Sequence, residues 1–166
     1  QFVSTYLPNP ATRYIRIDNL VVNSCKIINL AEITLWNNGV ALGMSGTPAV
    51  MSSDNGEFVA SHFVDGNFAN MIHTWAGDPC DPNPWVYIDV GTRSFDQVVV
   101  TNRVDCCRDR INGARISFVG DVNGVVPYAA RQYFPSTSAA TFTFAFPEGS
   151  GALGGSAVSS CPDGYT

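Results

Sequence analysis

Short runs of β-branched and aromatic residues alternate with turn residues along most of the chain, and helical periodicity is almost absent. This pattern predicts the short strands of a β-sandwich or jelly roll. The predicted fold class is therefore all-β. We expect eight strands, over Arg13–Asp18, Ala31–Trp36, Ala49–Ser52, Trp85–Val90, Gln97–Asn102, Ala114–Val119, Val125–Arg131 and Ala140–Phe146.

Turn signals separate these runs. Asn37–Gly39, Asp54–Gly56, Asp65–Asn67 and Asn123-Gly124 combine Asn or Asp with Gly, which suits tight turns. The stretch Val59–Val64 is ambiguous in pattern, and one short helical turn is an alternative to a strand there.

The composition changes after Pro147. Residues 148–160 are mostly Gly, Ser and Ala, which is typical of a flexible linker. The linker runs into Cys161–Thr166, which resembles the start of a small cysteine-rich extracellular repeat; a tail with a stray cysteine is the alternative. We therefore divide the chain into an extension (1–12), a folded domain (13–147) and this segment (148–166), and we expect one module of a longer protein.

The overall charge narrows the classes of partner. The 166 residues suit one domain, only 14% are charged, and the net charge is -5. An acidic chain is a poor partner for nucleic acid or anionic membranes. No apolar run is long enough to insert into a membrane. One lysine and eight arginines concentrate the positive charge in guanidinium groups, which suit forked hydrogen bonding.

The chain has five cysteines: Cys25, Cys80, Cys106, Cys107 and Cys161. Zinc ligation is disfavoured because no C-x-x-C pair is present. Disulfides fit better and predict a secreted or cell-surface protein. The odd number leaves one cysteine that is free or bonded outside this stretch, and Cys161 is our candidate for the latter.

Two adjacent cysteines mark the most informative stretch, Asn102–Gly113. A disulfide between neighbours closes a small, strained ring, and strain of this kind tends to persist at functional sites. The alternative is that Cys106 and Cys107 each pair elsewhere, as they would on opposite faces of a strand. Arg103 and Arg110 flank the pair at equal distances, which favours the adjacent disulfide.

This stretch resembles a known signature. The pattern Arg-x-Asp-Cys-Cys-x-x-Arg-Ile-x-Gly over Arg103–Gly113 is similar to that of the fucolectins, the fucose-binding branch of the discoidin-like (coagulation factor V/VIII type C) domains. His73-Thr74 ahead of Pro84–Gly91, and the earlier Asp65–Asn67, match the branch as well. The resemblance is specific in the middle of the domain and implies an eight-stranded discoidin-like jelly roll.

The order of the strands departs from the family. A pair similar to Arg13–Ile17 and Asn29–Trp36 normally closes the domain, whereas here it opens the chain, which ends on Thr141–Phe146. Either this pair finishes an earlier copy of the domain, or the domain is circularly permuted. A sandwich without the pair would expose long unpaired edges, so we favour permutation.

The resemblance implies carbohydrate binding by His73, Arg103 and Arg110. Guanidinium groups offer forked donors to neighbouring hydroxyls and a ring oxygen. A neutral imidazole would add a donor that selects hydroxyl orientation. The alternative for the arginines is surface salt bridges with Asp105 and Asp109, although these acids could instead orient the arginines.

Three apolar groups complete the expected sugar pocket. The Cys106–Cys107 ring would present a small rigid surface to the methyl group of a deoxy-sugar. Trp75 and Phe68 are weaker candidates that would stack on the apolar face of a sugar.

The resemblance also implies a structural calcium ion under the binding loops. Its expected ligands are Glu32, Asp65 and Asn67, with Asn70 near a further carbonyl position; Ca²⁺ prefers such oxygen ligands. The alternative is an ordinary Asp-Gly turn and a solvated glutamate. A disulfide found beside this site in fucolectins is replaced here by Ala31 and Met71, and Cys25 and Cys80 are candidates for a different staple among the same loops.

Three classes of function follow. The first is a calcium-stabilised, fucose-type carbohydrate-binding module that binds a fucosylated or similar glycan. The second is a structural or cell-adhesion module that contacts other chains of an extracellular assembly. The third, an enzyme, is disfavoured, since no spacing singles out an acid and a nucleophile among the aspartates Asp89, Asp96, Asp105 and Asp109.

Overall fold

The computed structural model describes residues 12–20, 25–120 and 130–145. Ten strands lie in this part of the chain: β1 Thr12–Asp18, β2 Asn29–Asn37, β3 Val40–Leu42, β4 Ala49–Met51, β5 Ile72–His73, β6 Trp85–Asp89, β7 Gln97–Asn102, β8 Arg115–Gly120, β9 Ala130–Tyr133 and β10 Thr141–Ala145. Two 3₁₀ helices, Ala60–Phe63 and Arg108–Ile111, interrupt them. Neither helix of the described residues could span a membrane.

The strands form two antiparallel sheets, which confirms the predicted all-β sandwich. One sheet has the order β4-β6-β1-β8-β9. The other has the order β10-β7-β2-β3, and β5 pairs with the start of β2. The β2–β3 hairpin turns through Asn38 and Gly39, both at positive φ, as the predicted Asn-Gly turn requires.

The two strands that open the chain occupy central positions in the two sheets. β1 lies between β6 and β8, and β2 pairs with β7 on one side and β3 on the other. A domain without them would lose the middle of each sheet. The opening strands therefore belong to this domain and not to an earlier copy, which agrees with the permuted order.

Alternating side chains from the two sheets build the core. In β6, β7 and β10 every second residue is buried, so one face of each strand points inward. Ile15 and Ile88 pair across one sheet, and Ile33 and Val100 pair across the other, all fully buried. Phe134 lies edge-on against Phe142 and Phe144, with centroids 5.0 and 5.1 Å apart, and covers one end of the core.

The predicted strands coincide with observed ones except near Val125–Arg131. Most of that stretch lies outside the described residues, as do the Asn123-Gly124 turn, residues 1–11 of the extension, the linker and Cys161. β3 and β5 raise the number of strands above the predicted eight; they are only three and two residues long, too short for a periodic pattern. The helical turn suggested for Val59–Val64 is the first 3₁₀ helix. The second, Arg108–Ile111, was not predicted.

Candidate functional site

His73 is positioned by the short strand β5. It lies opposite Asn29 in the β2–β5 ladder. The next residue, Thr74, is fully buried and bonds Ile28 twice: its N–H donates to the Ile28 carbonyl at 3.0 Å, and its hydroxyl accepts from the Ile28 N–H at 2.9 Å. Because Thr74 is anchored in the interior, the half-buried His73 ring is held on the other side of the segment.

The loop after β7 is anchored by Asn102, which is 1% exposed. Its Nδ2 donates to the carbonyls of Arg108 and Ala139, each at 3.0 Å, and its Oδ1 accepts from the Arg103 N–H at 3.0 Å. Arg108 closes the same loop, because Nε donates to the Arg103 carbonyl and Nη2 to the Val104 carbonyl, at 3.1 and 3.2 Å. The side chain of Arg108 therefore stabilises the conformation of the loop, which distinguishes it from Arg103 and Arg110, the two candidate sugar-binding arginines.

Cys106 and Cys107 form the predicted disulfide between neighbours. Cys107 has φ 57°, a left-handed conformation that is uncommon for a residue other than glycine. It precedes the helix Arg108–Ile111, and its carbonyl accepts from the Arg110 N–H at 3.3 Å. The turn at Cys107 thus leads from the loop that holds Arg103 into the helix that holds Arg110.

Arg110 meets His73 directly. Its Nη1 lies 3.3 Å from Nε2 of His73, and its carbonyl accepts from Asn19 Nδ2 at 2.9 Å. Asn19 follows β1 and is 3% exposed, so the opening strand helps to place this arginine. Within the described residues no carboxylate pairs with the Arg110 guanidinium.

The hydrogen bonds of His73 settle its tautomer. Nδ1 lies 2.7 Å from the Thr74 carbonyl, so Nδ1 carries the proton and Nε2 accepts from Arg110. Burial lowers the pKa of His73; the Thr74 contact acts in the opposite direction, and the charges of Arg110 and Arg103 lower it further. The sequence-based expectation that the imidazole offers a donor was therefore wrong, since the free nitrogen of the neutral ring is an acceptor.

Arg103 is oriented by its neighbour Asp105. Nε and Nη2 donate to the two carboxylate oxygens at 2.7 and 2.6 Å, and the arginine side chain is only 10% exposed. These bonds from Arg103 hold the pKa of Asp105 far below its usual range. With its amide oxygen facing the guanidinium, the buried Asn29 accepts from Nη1 at 3.2 Å. Asp105 thus orients Arg103, whereas Asp109 forms no ion pair within the described residues.

The two aromatic candidates differ in setting. Phe68 is 52% exposed and Trp75 is 42% exposed, and in the described part of the chain neither has a ring contact or hydrogen bond to His73 or the two arginines. Phe58, which the sequence analysis missed, lies beside His73 with ring centroids 5.9 Å apart, and its carbonyl accepts from the His73 N–H at 3.3 Å. No local motif marks Phe58, because the contact depends on the packing of two distant segments.

The residues predicted to bind calcium come together around the Asp65–Asn70 turn. Glu32 in β2 is 1% exposed, and its Oε2 accepts from the Gly66 N–H at 2.7 Å. Gly66 has φ 81°, which favours glycine there. Asp65 accepts from the N–H of Asn67 at 2.8 Å and from Nδ2 of Asn70 at 2.7 Å.

The electrostatics of this cluster fit an oxygen-binding cation. Burial raises the pKa of Glu32 to about 7, and the nearby Asp65 carboxyl raises it as well, although hydrogen bonds from Gly66 and Ile33 act against the rise. Oδ1 of Asn70 is buried without a hydrogen-bond partner. No group of three or more His, Cys, Asp or Glu side chains suited to a metal occurs within the described ranges, so backbone and amide oxygens would have to complete the ligand set.

The second disulfide joins Cys25 and Cys80, as the sequence analysis proposed. It tethers the loop that follows His73. Next to it, Asp81 accepts from the hydroxyls of Ser52 and Ser53, each at 2.5 Å. Burial acts to raise the pKa of Asp81, but these two bonds together with the hydrogen bond from the Asn83 N–H leave that pKa lowered.

Comparison with known proteins agrees with this geometry. The model of the F5/F8 type C family described as a NedA-like, galactose-binding domain matches residues 62–152, more than half of the chain. The chain belongs to this family of discoidin-like domains. The match begins after β2, so the two opening strands lie outside it although they are central to both sheets, as a permuted order would produce.

Individual relatives point to the branch that the cysteine signature indicated. The chain is 38% identical to Fucolectin-6 of Anguilla japonica over an alignment of 73 residues. The match covers 40% of this chain and 37% of that protein. It is 41% identical to Fucolectin-4 of the same species over 59 residues, 34% of this chain and 33% of the relative. The similarity to fucolectins is thus confirmed, although the matched segment spans little more than a third of these relatives.

A further match covers a smaller share of its relative. The Pentraxin fusion protein of Xenopus laevis is 39% identical over 62 residues, 34% of this chain and 14% of that protein. No solved structure matches the chain significantly.

Proposed function

We propose that this chain is a carbohydrate-binding module whose ligand is a fucose-type sugar held by His73, Arg103 and Arg110. The observation that carries the proposal is the convergence of the three side chains from separate elements: Arg110 contacts the His73 ring at 3.3 Å, and both arginines lower the pKa of that ring. The fucolectin relatives support the choice of sugar.

The donor and acceptor pattern suits a sugar hydroxyl. A hydroxyl donates one hydrogen bond and accepts others. One hydroxyl could therefore accept from Arg110 Nη1 and donate to Nε2 of His73, taking the place of the contact between them. Arg103, held by Asp105 and Asn29, keeps N–H groups for a neighbouring hydroxyl or the ring oxygen.

The Cys106–Cys107 disulfide stands between the two arginines in sequence and would cover the methyl group of a deoxy-sugar. An apolar contact of this size contributes about 1 kcal/mol to binding. Phe58 adds a second apolar surface on the His73 side.

Binding is favoured over catalysis by the surroundings of the acidic residues. Asp89 pairs with Arg13, Asp105 pairs with Arg103, and Asp96 accepts from the Asn38 N–H. Within the described residues no contact joins two of the candidate aspartates. The named relatives are lectins or contain a pentraxin, which agrees with a binding module.

Calcium would stabilise the loops beneath the sugar pocket. Glu32, Asp65, Asn67 and Asn70 would hold the ion together with backbone carbonyls. The buried, unpartnered Oδ1 of Asn70 and the closely spaced carboxyl groups of Glu32 and Asp65 support this assignment. Bound Ca²⁺ supplies positive charge that offsets the two neighbouring carboxylates.

The two disulfides support a secreted or cell-surface location, since such bonds persist in oxidising compartments. A fucosylated or similar glycan would be the partner there. A single site of this kind binds weakly, so several copies in a larger extracellular assembly would strengthen attachment.

The test is calorimetric titration of the full chain with a panel of free sugars that includes fucose, at saturating calcium. We expect saturable binding of fucose that Arg110→Ala abolishes. Arg93→Ala is the matched control, because the Arg93 guanidinium donates to the Val90 carbonyl elsewhere in the fold. A folded wild-type protein that binds no sugar would overturn the proposal and leave the structural or adhesive module as the remaining function.

A further inference from the structure

Trp75 follows His73, a residue of the proposed sugar pocket, by two positions in the chain. His73 ends the strand β5, and burial alternates along the residues that follow: His73 is half-buried, Thr74 is fully buried, and Trp75 is 42% exposed. In extended backbone successive side chains point to opposite sides. The alternating burial indicates that His73 and Trp75 project from the same side of the segment, and residues two apart in extended chain have Cα atoms about 7 Å apart.

The indole is held in one orientation by its own loop. Nε1 donates to the Pro79 carbonyl at 3.1 Å, and the Trp75 N–H donates to the Ser53 hydroxyl at 3.0 Å. The ring packs so closely on Gly77 that a Cβ at that position would overlap it. Residue 77 must therefore be glycine for this orientation to form.

The loop itself is braced at its far end. The Cys25–Cys80 disulfide ties it to the segment before β2, and Asp81 accepts from Ser52 and Ser53. Trp75 is thus a fixed, partly exposed aromatic ring with no aromatic partner among the described residues. A large aromatic ring that is already held in one orientation loses little entropy when a ligand covers its exposed face.

We propose that Trp75 forms a second subsite, which stacks on the sugar residue linked to the one bound by His73, Arg103 and Arg110. This inference rests on the proposed sugar pocket. The module would then select fucosylated oligosaccharides over free fucose. The nearly flat indole suits the apolar face of a pyranose ring, and the spacing along the extended segment matches a neighbouring residue of the same chain of sugars.

The experiment compares methyl fucoside with a panel of fucosylated oligosaccharides of different linkage, fucosyllactose among them. We expect the wild-type chain to bind at least one oligosaccharide about five-fold more tightly than methyl fucoside, the effect of one buried apolar sugar face. Trp75→Ala should remove this gain and leave the affinity for methyl fucoside unchanged. Gly77→Ala keeps the tryptophan but displaces its ring, so it should cause the same selective loss.

Tyr133→Ala is the control, since Tyr133 is a 61% exposed aromatic residue on the edge strand β9. Circular dichroism verifies that each variant is folded. Equal wild-type affinity for all the sugars, or a Trp75→Ala loss that is the same for methyl fucoside and the oligosaccharides, would overturn the second subsite. Failure of the wild type to bind methyl fucoside and every oligosaccharide would instead refute the primary pocket.

Discussion

Protonation of His73 should weaken sugar binding as the pH falls. The neutral ring donates from Nδ1 to the Thr74 carbonyl and leaves Nε2 as the acceptor for a sugar hydroxyl. A protonated ring has no acceptor and places a third positive charge beside Arg110 and Arg103. Binding therefore requires the neutral form.

The direction of the pKa shift sets the pH range. Burial and the two arginines hold the pKa of His73 below 6.5, so the neutral form dominates at neutral pH. Below the folded-state pKa the neutral fraction, and with it the affinity, falls about tenfold for each pH unit. The same shift affects stability: the unfolded chain binds more protons, so the contribution of His73 is fully favourable above about 6.5 and is lost as the pH falls below it.

The assay is titration of fucose between pH 8 and pH 5 at saturating calcium, for the wild type and for His73→Gln. The variant should bind more weakly but show a much flatter dependence on pH. Any dependence that remains in the variant comes from groups other than His73. Equal dependence on pH in the two proteins would refute the assigned role of His73.

Three further predictions concern the supports of the site. Asn102→Ala removes the three hydrogen bonds of a buried side chain and should lower the free energy of unfolding by about 3 kcal/mol in urea denaturation. A change below about 1 kcal/mol would contradict the role of Asn102 as the anchor of the loop. Calcium at a hundred times its Kd should stabilise the wild type by about 2.7 kcal/mol in thermal unfolding, and Glu32→Gln should abolish most of this stabilisation. Equal stabilisation of both proteins by calcium would exclude Glu32 as a ligand. Ile88→Ala should cost about 2–5 kcal/mol because it leaves a cavity between the sheets, yet the variant should keep the calcium response if the ion site is independent of the core.

Most strands could be predicted because their signal is local. Each of the long strands carries its own run of β-forming residues, and β6, β7 and β10 bury every second side chain as expected. β3 and β5 carry no such signal, since strands of three and two residues form only when β2 supplies a partner. The helix Arg108–Ile111 escaped prediction because it depends on the left-handed turn at Cys107.

The candidate site divides in the same way. His73, Arg103 and Arg110 could be named from a motif, since they stand at fixed positions around two adjacent cysteines and a His-Thr pair. Their supports could not, because tertiary contacts place them: Asn19 follows β1, Asn29 begins β2, and Phe58 packs on His73 from the segment after β4.

The sequence by itself indicated the all-β class, the two disulfide pairs and the candidate residues for a sugar site, because these depend on local pattern and on residue chemistry. The tertiary structure alone decided how those residues are used. The Thr74 carbonyl accepts from Nδ1 of His73 and leaves Nε2 as an acceptor. Asp105 orients the guanidinium group of Arg103, and the opening strands form the middle of both sheets. Such outcomes depend on which atoms lie within about 3 Å of each other across the fold, and residues far apart in the chain set these distances only when the sheets assemble.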